Sequence, residues 1–339
     1  MQDVAIIGLD LAKSVFQVHG VDRMGEVVIR KMLRRAQVLD FFRKLPSCLV
    51  GLEACGSAHH WAREIAACGH EVRMIPPIYV KAYVKRGKTD AADAAAICEA
   101  VGRPTMRFVP IKTVEQQAAG MVLKVRDLLV RQRTQIANAF RSHLSELGIV
   151  TAAGLSSLDK LAGIIRDPNT PMPDLARRAL LELAEQIDVL SARVENLDAD
   201  IRAGVKEDET ARRLTSIPGV GPLIAATVCA TVHDPNGFRR GRDFAAWLGL
   251  TPRLLSTGGK QKLGSISKQG NRRLRTLLVI GATSIIKQAR RGVTLPAWLT
   301  GLMARKPYKL VAVALANKNA RIVWALLAKG GTYRSQRPL

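Results

Sequence analysis

The first 110 residues alternate between short apolar runs and helical patterns. The apolar or alternating runs, which predict strands, cover residues 4–9, 15–21, 27–29, 48–52 and 72–75. The helical patterns between them cover residues 36–45 and 57–68. The first three runs follow one another with short turns and predict an antiparallel arrangement, whereas the later ones alternate with helices. We therefore expect a mixed α/β sheet in this part of the chain.

After residue 110 the strand pattern stops and long helices are predicted. One apolar stripe consists of Val122, Val125, Leu129, Ile136, Phe140, Leu144 and Leu147. A second follows unbroken 3-4 spacing through Leu180, Leu183, Ile187, Leu190, Val194, Leu197 and Ile201. Such a heptad seam packs on another helix, either its upstream neighbour in a coiled-coil hairpin or a second subunit. Residues 167–173, with three prolines, predict the loop before it.

From Ala211 onward the pattern is helical, short and basic. Residues 256–270 are rich in glycine and serine and predict a loop, which leads into an arginine-rich helix over 271–287. The expected organisation is an α/β domain over residues 1–110, a coiled-coil helical region over 111–210 and an all-α basic domain over 211–330.

Charge separates these regions. The chain has 339 residues and a net charge of +24, but residues 1–210 hold 29 basic and 26 acidic residues, whereas residues 211–339 hold 23 basic residues and only Asp234 and Asp243. A basic surface without internal partners requires an external polyanion, and nucleic acid is the one favoured here.

Other classes fit the sequence less well. The longest uncharged apolar stretches, such as residues 277–286, are shorter than the ~20 residues that span a bilayer, and no basic segment precedes the first apolar run. We expect no membrane association and no signal peptide. The five cysteines form no Cys-x-x-Cys pair, which favours a reducing cytoplasm without structural zinc.

Four carboxylates fall at predicted element boundaries. Asp10 ends the first strand and Glu53 ends the strand over 48–52, while Asp90 and Asp93 share the first turn of a helical run over 89–101. The strand order fits a ribonuclease-H-like sheet, in which these two strands are neighbours. Oxygen ligands converging at one edge suit Mg²⁺ or Mn²⁺, the cations that assist phosphodiester chemistry. Any one of these carboxylates alone is equally explained as a turn or helix-start residue.

Two basic-region motifs point to phosphate. Residues 217–222, with Gly219 and Gly221, are typical of a helix-hairpin-helix, although a packing turn without a ligand has the same pattern. Ser265 and Ser267 lie among cationic residues, and by pattern alone a phosphate-contacting loop is favoured over a nucleophile. The candidate nucleic-acid contacts are Gly219, Gly221, Arg253, Lys260, Lys262, Lys268, Arg272, Arg273 and Arg275.

Six segments occurring in order make the sequence similar to a known family. They are Gly-Leu-Asp-Leu-Ala-Lys (8–13), Glu-Ala-Cys-Gly-Ser (53–57), Lys-Thr-Asp-Ala-Ala-Asp-Ala (88–94), Ile-Pro-Gly-Val-Gly (217–221), Phe-Ala-Ala-Trp-Leu-Gly-Leu-Thr-Pro-Arg (244–253) and Ser-Lys-Gln-Gly-Asn (267–271). Together they resemble the DEDD insertion-sequence transposases, bridge-RNA-guided serine recombinases of bacterial mobile elements. The resemblance extends from about Val4 to about Leu327; Cys55 departs from it, since many members have threonine there.

The resemblance implies a RuvC-like domain with Asp10, Glu53, Asp90 and Asp93 as the metal-binding tetrad, a coiled-coil insertion, and Ser267 as the nucleophile in the C-terminal transposase domain. It also implies dimers that assemble into tetramers, in which the metal site of one subunit meets the serine of another. A structured bridge RNA would pair with donor and target DNA. The protein would then be cytoplasmic and associated with the bacterial nucleoid.

Three alternatives stay open at this point. A RuvC-like endonuclease would hydrolyse branched DNA with metal-activated water and form no covalent intermediate. An actin-like kinase or ATPase would explain residues 7–10, although its second glycine-rich phosphate loop is missing from the sequence. A non-catalytic nucleic-acid-binding protein would leave the four carboxylates without a role.

Overall fold

The computed structural model describes residues 3–84, 89–152, 154–258, 260–289 and 293–334, with backbone alone at positions 155, 257 and 260. The chain divides into two compact units, Met1–Gln116 and Gln117–Leu339. Each unit is described by itself.

The first unit is a mixed α/β structure. Its strands and helices, in chain order, are β1 (Ile6–Asp10), β2 (Val15–Val21), β3 (Val27–Arg34), α1 (Val38–Arg43), β4 (Leu49–Glu53), α2 (Ala58–Ala67), β5 (Glu71–Ile75), α3 (Pro77–Val80) and α4 (Asp90–Val101). The sheet order is β3-β2-β1-β4-β5. The β1–β2 and β2–β3 pairs are antiparallel and the β1–β4 and β4–β5 pairs are parallel, so the predicted mixed sheet is confirmed.

Apolar side chains cover both faces of this sheet. Alternate residues of β1 and β4, including Leu9 and Leu52, pack with Phe42 and Trp61 from helices α1 and α2. The other face is covered by α4, whose Ile97 and other apolar residues form a second cluster. The sheet therefore lies between two helical layers, as the period of two along each strand requires.

Helix α4 approaches the sheet closely because two glycines lie beneath it. Gly8 of β1 and Gly51 of β4 are register partners. A Cβ atom at Gly8 would overlap the Ala94 carbonyl oxygen, and one at Gly51 would lie 2.8 Å from Val101 Cβ. Only glycine permits this backbone approach, which places the first turn of α4 at the ends of β1 and β4.

The second unit contains two long helices that form an antiparallel hairpin. Its elements are α5 (Val114–Glu146), α6 (Leu158–Arg166), α7 (Asp174–Glu207), α8 (Glu209–Leu214), α9 (Pro222–Cys229), α10 (Gly241–Trp247), β6 (Pro252–Thr257), β7 (Lys260–Ile266), α11 (Arg272–Ala289), α12 (Ala297–Arg305) and α13 (Tyr308–Lys329). Helix α5 begins just before the division between the units.

The heptad seam of α7 is buried against its upstream neighbours. Phe140 and Leu144 of α5, and part of α6, pack with Leu180 and Ile187 of α7. Nearer the other end, Arg126 of α5 donates to Asp198 of α7 at 2.9 Å. Of the two arrangements that the seam allows, the structure has the hairpin within one chain.

The rest of the second unit is a helical bundle around one apolar core, to which α8 to α13 all contribute. Helix α13 is the one helix among the described residues that is long and apolar enough to cross a membrane. Val311, Leu315, Ala316 and Val323 of this helix are buried in that core. Its apolar character is therefore explained by packing.

Two expectations for the basic region were wrong. Residues 256–270 are not simply a loop, because β6 and β7 form an antiparallel hairpin in which Leu254 pairs with Leu263 and Leu255 with Lys262. The hairpin lacks a buried face, so its sequence carries no apolar alternation that would predict strands. The helices are also not uniformly short, since α11 has 18 residues and α13 has 22.

Candidate metal centre and serine segment

Two carboxylates lie at the ends of neighbouring parallel strands. Asp10 is the last residue of β1 and Glu53 the last residue of β4. Because side chains alternate along a strand, Asp10 shares a face with Gly8, and Glu53 shares a face with Gly51. This is the face that α4 covers, so both carboxylates are directed to the side from which α4 approaches.

Helix α4 supplies the other two carboxylates. Asp90 and Asp93 occupy its first turn, which is capped by Thr89, whose hydroxyl accepts the Ala92 N–H at 3.2 Å. Carboxylate oxygens of Asp10, Asp90 and Asp93 all lie within 4.8 Å of one another. Glu53 lines an open cavity of about 590 Å³ together with Asp10, Asp93 and Lys81.

The electrostatics of this cluster favour a bound cation. Burial raises the pKa of Asp10 to about 6, and the negative charges of Asp93, Asp90 and Glu53 raise it further toward that value. Three carboxylates at this separation repel one another when ionised, and a divalent cation removes that repulsion. The oxygen-only donor set fits a hard divalent cation.

Sequence reasoning missed the residues that position this cluster. Gly8 and Gly51 touch no metal, but the close approach of α4 depends on them. A signal was present, because glycine is unfavourable inside a buried apolar strand and indicates a close backbone contact there. The Thr89 cap, which has the usual N-cap chemistry, also precedes the two aspartates directly.

Ser267 lies immediately after β7, in a segment fixed by backbone hydrogen bonds. The Ser267 N–H donates to the Thr251 carbonyl at 2.9 Å, and the Lys268 N–H donates to the Gly249 carbonyl at 3.1 Å. The Arg253 guanidinium donates to the Ser267 carbonyl at 3.1 Å. Ser265 differs, since it is an exposed residue inside β7.

The chain turns sharply after Ser267. Lys268 has φ 57°, the one positive φ among the described non-glycine residues. Gly249 and Gly270 have φ 71°, and a Cβ atom at either would overlap backbone, of Gln269 and Trp247 respectively. Two tightly packed backbone segments therefore hold Ser267 in place, and the left-handed Lys268 is the kind of local strain that occurs at functional sites.

The predicted cationic contacts divide into exposed and engaged residues. Arg253, Lys262, Lys268 and Arg272 are exposed near Ser267. Arg273 pairs with Asp127 of α5 at 2.7 Å. Buried Arg275 donates to the carbonyls of Leu248 and Gln269, both at 2.8 Å, so its guanidinium ties the serine segment to α10. The Lys260 side chain, like Lys88 and Gly259, lies outside the described residues.

The Gly219 turn packs against α11. Gly219 has φ 84°, and a Cβ atom there would lie 2.9 Å from the Gly281 carbonyl oxygen. The Asn319 amide donates to the Pro218 carbonyl at 2.9 Å. Gly221 is the N-cap of α9. Packing therefore explains Gly219, while Gly221 stands at a helix start, where backbone N–H groups face outward.

Comparison with known proteins places both units. A family model described as "Transposase" matches residues 7–149, and one described as "Transposase IS116/IS110/IS902 family" matches residues 211–294. The chain is 51% identical to a probable family 20 transposase of Pseudomonas aeruginosa, over 97% of this chain and 98% of that protein. It is 38% identical to the transposase for insertion sequence element IS1328 of Yersinia enterocolitica, over 98% and 99%. It is 40% identical to the transposase for IS1111A of Coxiella burnetii, over 98% and 92%.

Proposed function

Because the chain belongs to the IS110/IS116/IS902 family of transposases, DNA-cutting enzymes whose DEDD members use a divalent metal, we propose that it moves an insertion sequence by cutting and rejoining DNA through a phosphoserine intermediate on Ser267. The observation that carries this proposal is the fixed backbone around Ser267, with exposed Arg253, Lys268 and Arg272 beside it. Positive charge there stabilises a phosphate under attack.

Asp10, Asp90 and Asp93, with Glu53 beside them, would hold Mg²⁺ or Mn²⁺. When bound, such an ion polarises a phosphate oxygen and stabilises developing negative charge. We propose a ribonuclease-H/RuvC-like catalytic domain over residues 1–110, a coiled-coil region over 111–210 and a transposase domain over 211–330.

The proposed reaction conserves the phosphoester bond. Ser267 Oγ loses its proton and bonds to the phosphorus, while the bond between phosphorus and one deoxyribose oxygen breaks. That oxygen leaves with a proton as a free hydroxyl. A hydroxyl from a second strand end then attacks the same phosphorus, and Ser267 Oγ departs and regains a proton. No external energy source is needed, because one ester replaces another.

The partners follow from charge and from the family resemblance. The net charge of +21 on residues 211–339 supports binding of donor and target DNA. A structured bridge RNA that reads both DNAs by base pairing, and a dimer that assembles into a tetramer, complete the proposal. In that assembly the carboxylates of one subunit and Ser267 of another act on one phosphodiester.

The second candidate is a RuvC-like endonuclease without a covalent intermediate. It is favoured by one observation, namely that the acidic cluster already suffices for hydrolysis by metal-activated water. In that reaction the broken strand is released, and rejoining requires another enzyme.

Trapping the adduct separates the two candidates. Full-length protein is incubated with insertion-sequence DNA and Mg²⁺, denatured and resolved by mass. We expect a protein–DNA adduct that maps to Ser267, disappears in Ser267→Ala and persists in Ser265→Ala. The Ser265→Ala variant is the matched control, because that serine lies two residues away on the same hairpin. Cleavage by wild-type protein with no adduct would favour the endonuclease.

A further inference from the structure

The β6–β7 hairpin exposes apolar side chains that its own unit does not cover. Leu254 and Leu263 are cross-strand partners, so their side chains stand side by side on one face. They are 58% and 70% exposed. An isolated two-stranded hairpin is marginally stable in water, and an exposed leucine pair at its centre contributes little until something covers it.

The two faces of the hairpin differ in charge. Because directly paired residues share a face, Ser256 and Gln261 lie beside the leucine pair, as does Ser265. This face is uncharged. Leu255 and Lys262 are paired on the opposite face. The hairpin thus has an apolar, uncharged face and a basic face, both joined directly to the serine segment.

Charge identifies the occupant. The chain contains no acidic residue after Asp243, so every charged residue of the hairpin and of the segment that follows it is basic. A second hairpin of the same kind would bring like charges together. A polyanion with an apolar interior has the complementary chemistry, and duplex DNA combines outer phosphates with stacked bases.

We propose that the Leu254–Leu263 pair is a wedge that enters duplex DNA between two base pairs, while Lys262 contacts the phosphates. Apolar side chains inserted at a base step unstack it and kink the duplex, at a cost of a few kcal/mol per step. Taken with the proposed function, the wedge opens the duplex near the phosphate that Ser267 attacks.

The strand geometry sets the distance between wedge and serine. Leu263 precedes Ser267 by four residues, which is roughly 13 Å at ~3.3 Å per residue. At ~3.4 Å per nucleotide, the unstacked step lies roughly four base steps from the attacked phosphate. A wedge at this distance frees bases beside the cut for exchange between strands.

The experiment uses full-length protein and a short mixed-sequence DNA duplex that contains several 2-aminopurine residues, whose fluorescence rises when they are unstacked. We expect wild-type protein to raise the fluorescence at saturation. The Leu254→Ala/Leu263→Ala double variant should lose most of that rise, with less than a tenfold change in Kd. A double variant with methionine at both positions should restore the rise, since methionine keeps an apolar side chain of similar size.

Matched controls come from the opposite face. Leu255 is 56% exposed on the same hairpin, and Leu255→Ala should leave the fluorescence rise unchanged. Lys262→Gln should weaken binding and lower the slope of log affinity against log salt by about one, with the rise at saturation preserved. An unchanged melting temperature of the double variant checks that the hairpin change is local.

Three results would overturn the wedge. They are a wild-type complex without a fluorescence rise, a double variant that keeps it, and a double variant that loses oligomeric mass, which would assign the leucine face to a second copy of the chain. These results differ from failure of the proposed function. An adduct on Ser267 without unstacking rejects the wedge alone, whereas unstacking without an adduct rejects the serine chemistry alone.

Discussion

Gly8 of β1 and Gly51 of β4 face each other in register, and helix α4 packs directly on both. The same helix begins with Asp90 and Asp93, and the two strands end with Asp10 and Glu53. The absence of two side chains therefore fixes the distance between two pairs of carboxylates. Positioning of the acidic cluster is a property of the sheet and helix contact, not of the carboxylates themselves.

Gly8→Ala should damage this cluster from a distance. The added methyl group meets the Ala94 carbonyl and the Cys98 backbone, so α4 must move. We expect a loss of about 1–3 kcal/mol in the free energy of unfolding, measured with urea, and a larger proportional loss of DNA cleavage. Gly56→Ala is the control, because a Cβ atom there meets nothing within 4 Å. Equal effects of the two substitutions would contradict the positioning role.

Neutral amides in the cluster should separate cleavage from folding. Asp10→Asn, Asp90→Asn and Asp93→Asn should each reduce strand cleavage about 10²-fold or more, with unchanged circular dichroism and DNA affinity. Asp40→Asn changes an exposed carboxylate that pairs with Arg43 and should cleave normally. Full cleavage by Asp10→Asn would exclude that residue from the metal site.

The raised pKa of Asp10 predicts an unusual pH dependence of stability without metal. The folded state holds the Asp10 proton up to about pH 6, whereas the ordinary pKa is 3.8. The contribution of this group is therefore fully present below pH 3.8 and is lost as the pH rises through about 6. Asp10→Asn should remove this component from chemical denaturation curves measured across that range.

Added Mg²⁺ supplies the complementary measurement. It should stabilise the wild-type protein most above pH 6, where Asp10 is ionised, and should stabilise Asp10→Asn much less. Stabilisation of both proteins to the same extent would mean that the ion binds elsewhere.

The α7 seam predicts a loss of stability without a loss of assembly. Leu190 is 2% exposed, and Leu190→Ala should cost about 2–5 kcal/mol of unfolding free energy. Its neighbour Val189 is 43% exposed, and Val189→Ala should have little effect. Since the seam packs within the chain, sedimentation should show the same mass for both variants; dissociation of Leu190→Ala alone would point to an intermolecular seam.

The sequence allowed the sheet to be predicted well, because its strands bury one or both faces and therefore carry clear apolar patterns. The position of Asp10 and Glu53 at two strand ends followed from the same patterns. The proximity of Asp90 to Asp10 did not, since it depends on how closely α4 approaches β1, and only the long-range contact of Gly8 determines that.

The β6–β7 hairpin shows the limit of pattern reasoning. Leu254, Leu255 and Leu263 are all exposed, so no alternation distinguishes an inner face from an outer one. The role of Arg275 was similarly hidden. An arginine beside Arg272 and Arg273 suggests a phosphate contact, but its side chain is buried and donates to two backbone carbonyls.

The antiparallel packing of α5 on α7 also constrains how this protein can change in length. Facing positions run in opposite directions at the same pace, from Arg126 opposite Asp198 to Arg133 opposite Ser191. An insertion in one helix alone would shift every later pair out of register. Insertions or deletions that match on both helices, in steps of seven residues, preserve the seam. The hairpin can therefore serve as an adjustable spacer during divergence, lengthening or shortening while the segments at its base keep their structure.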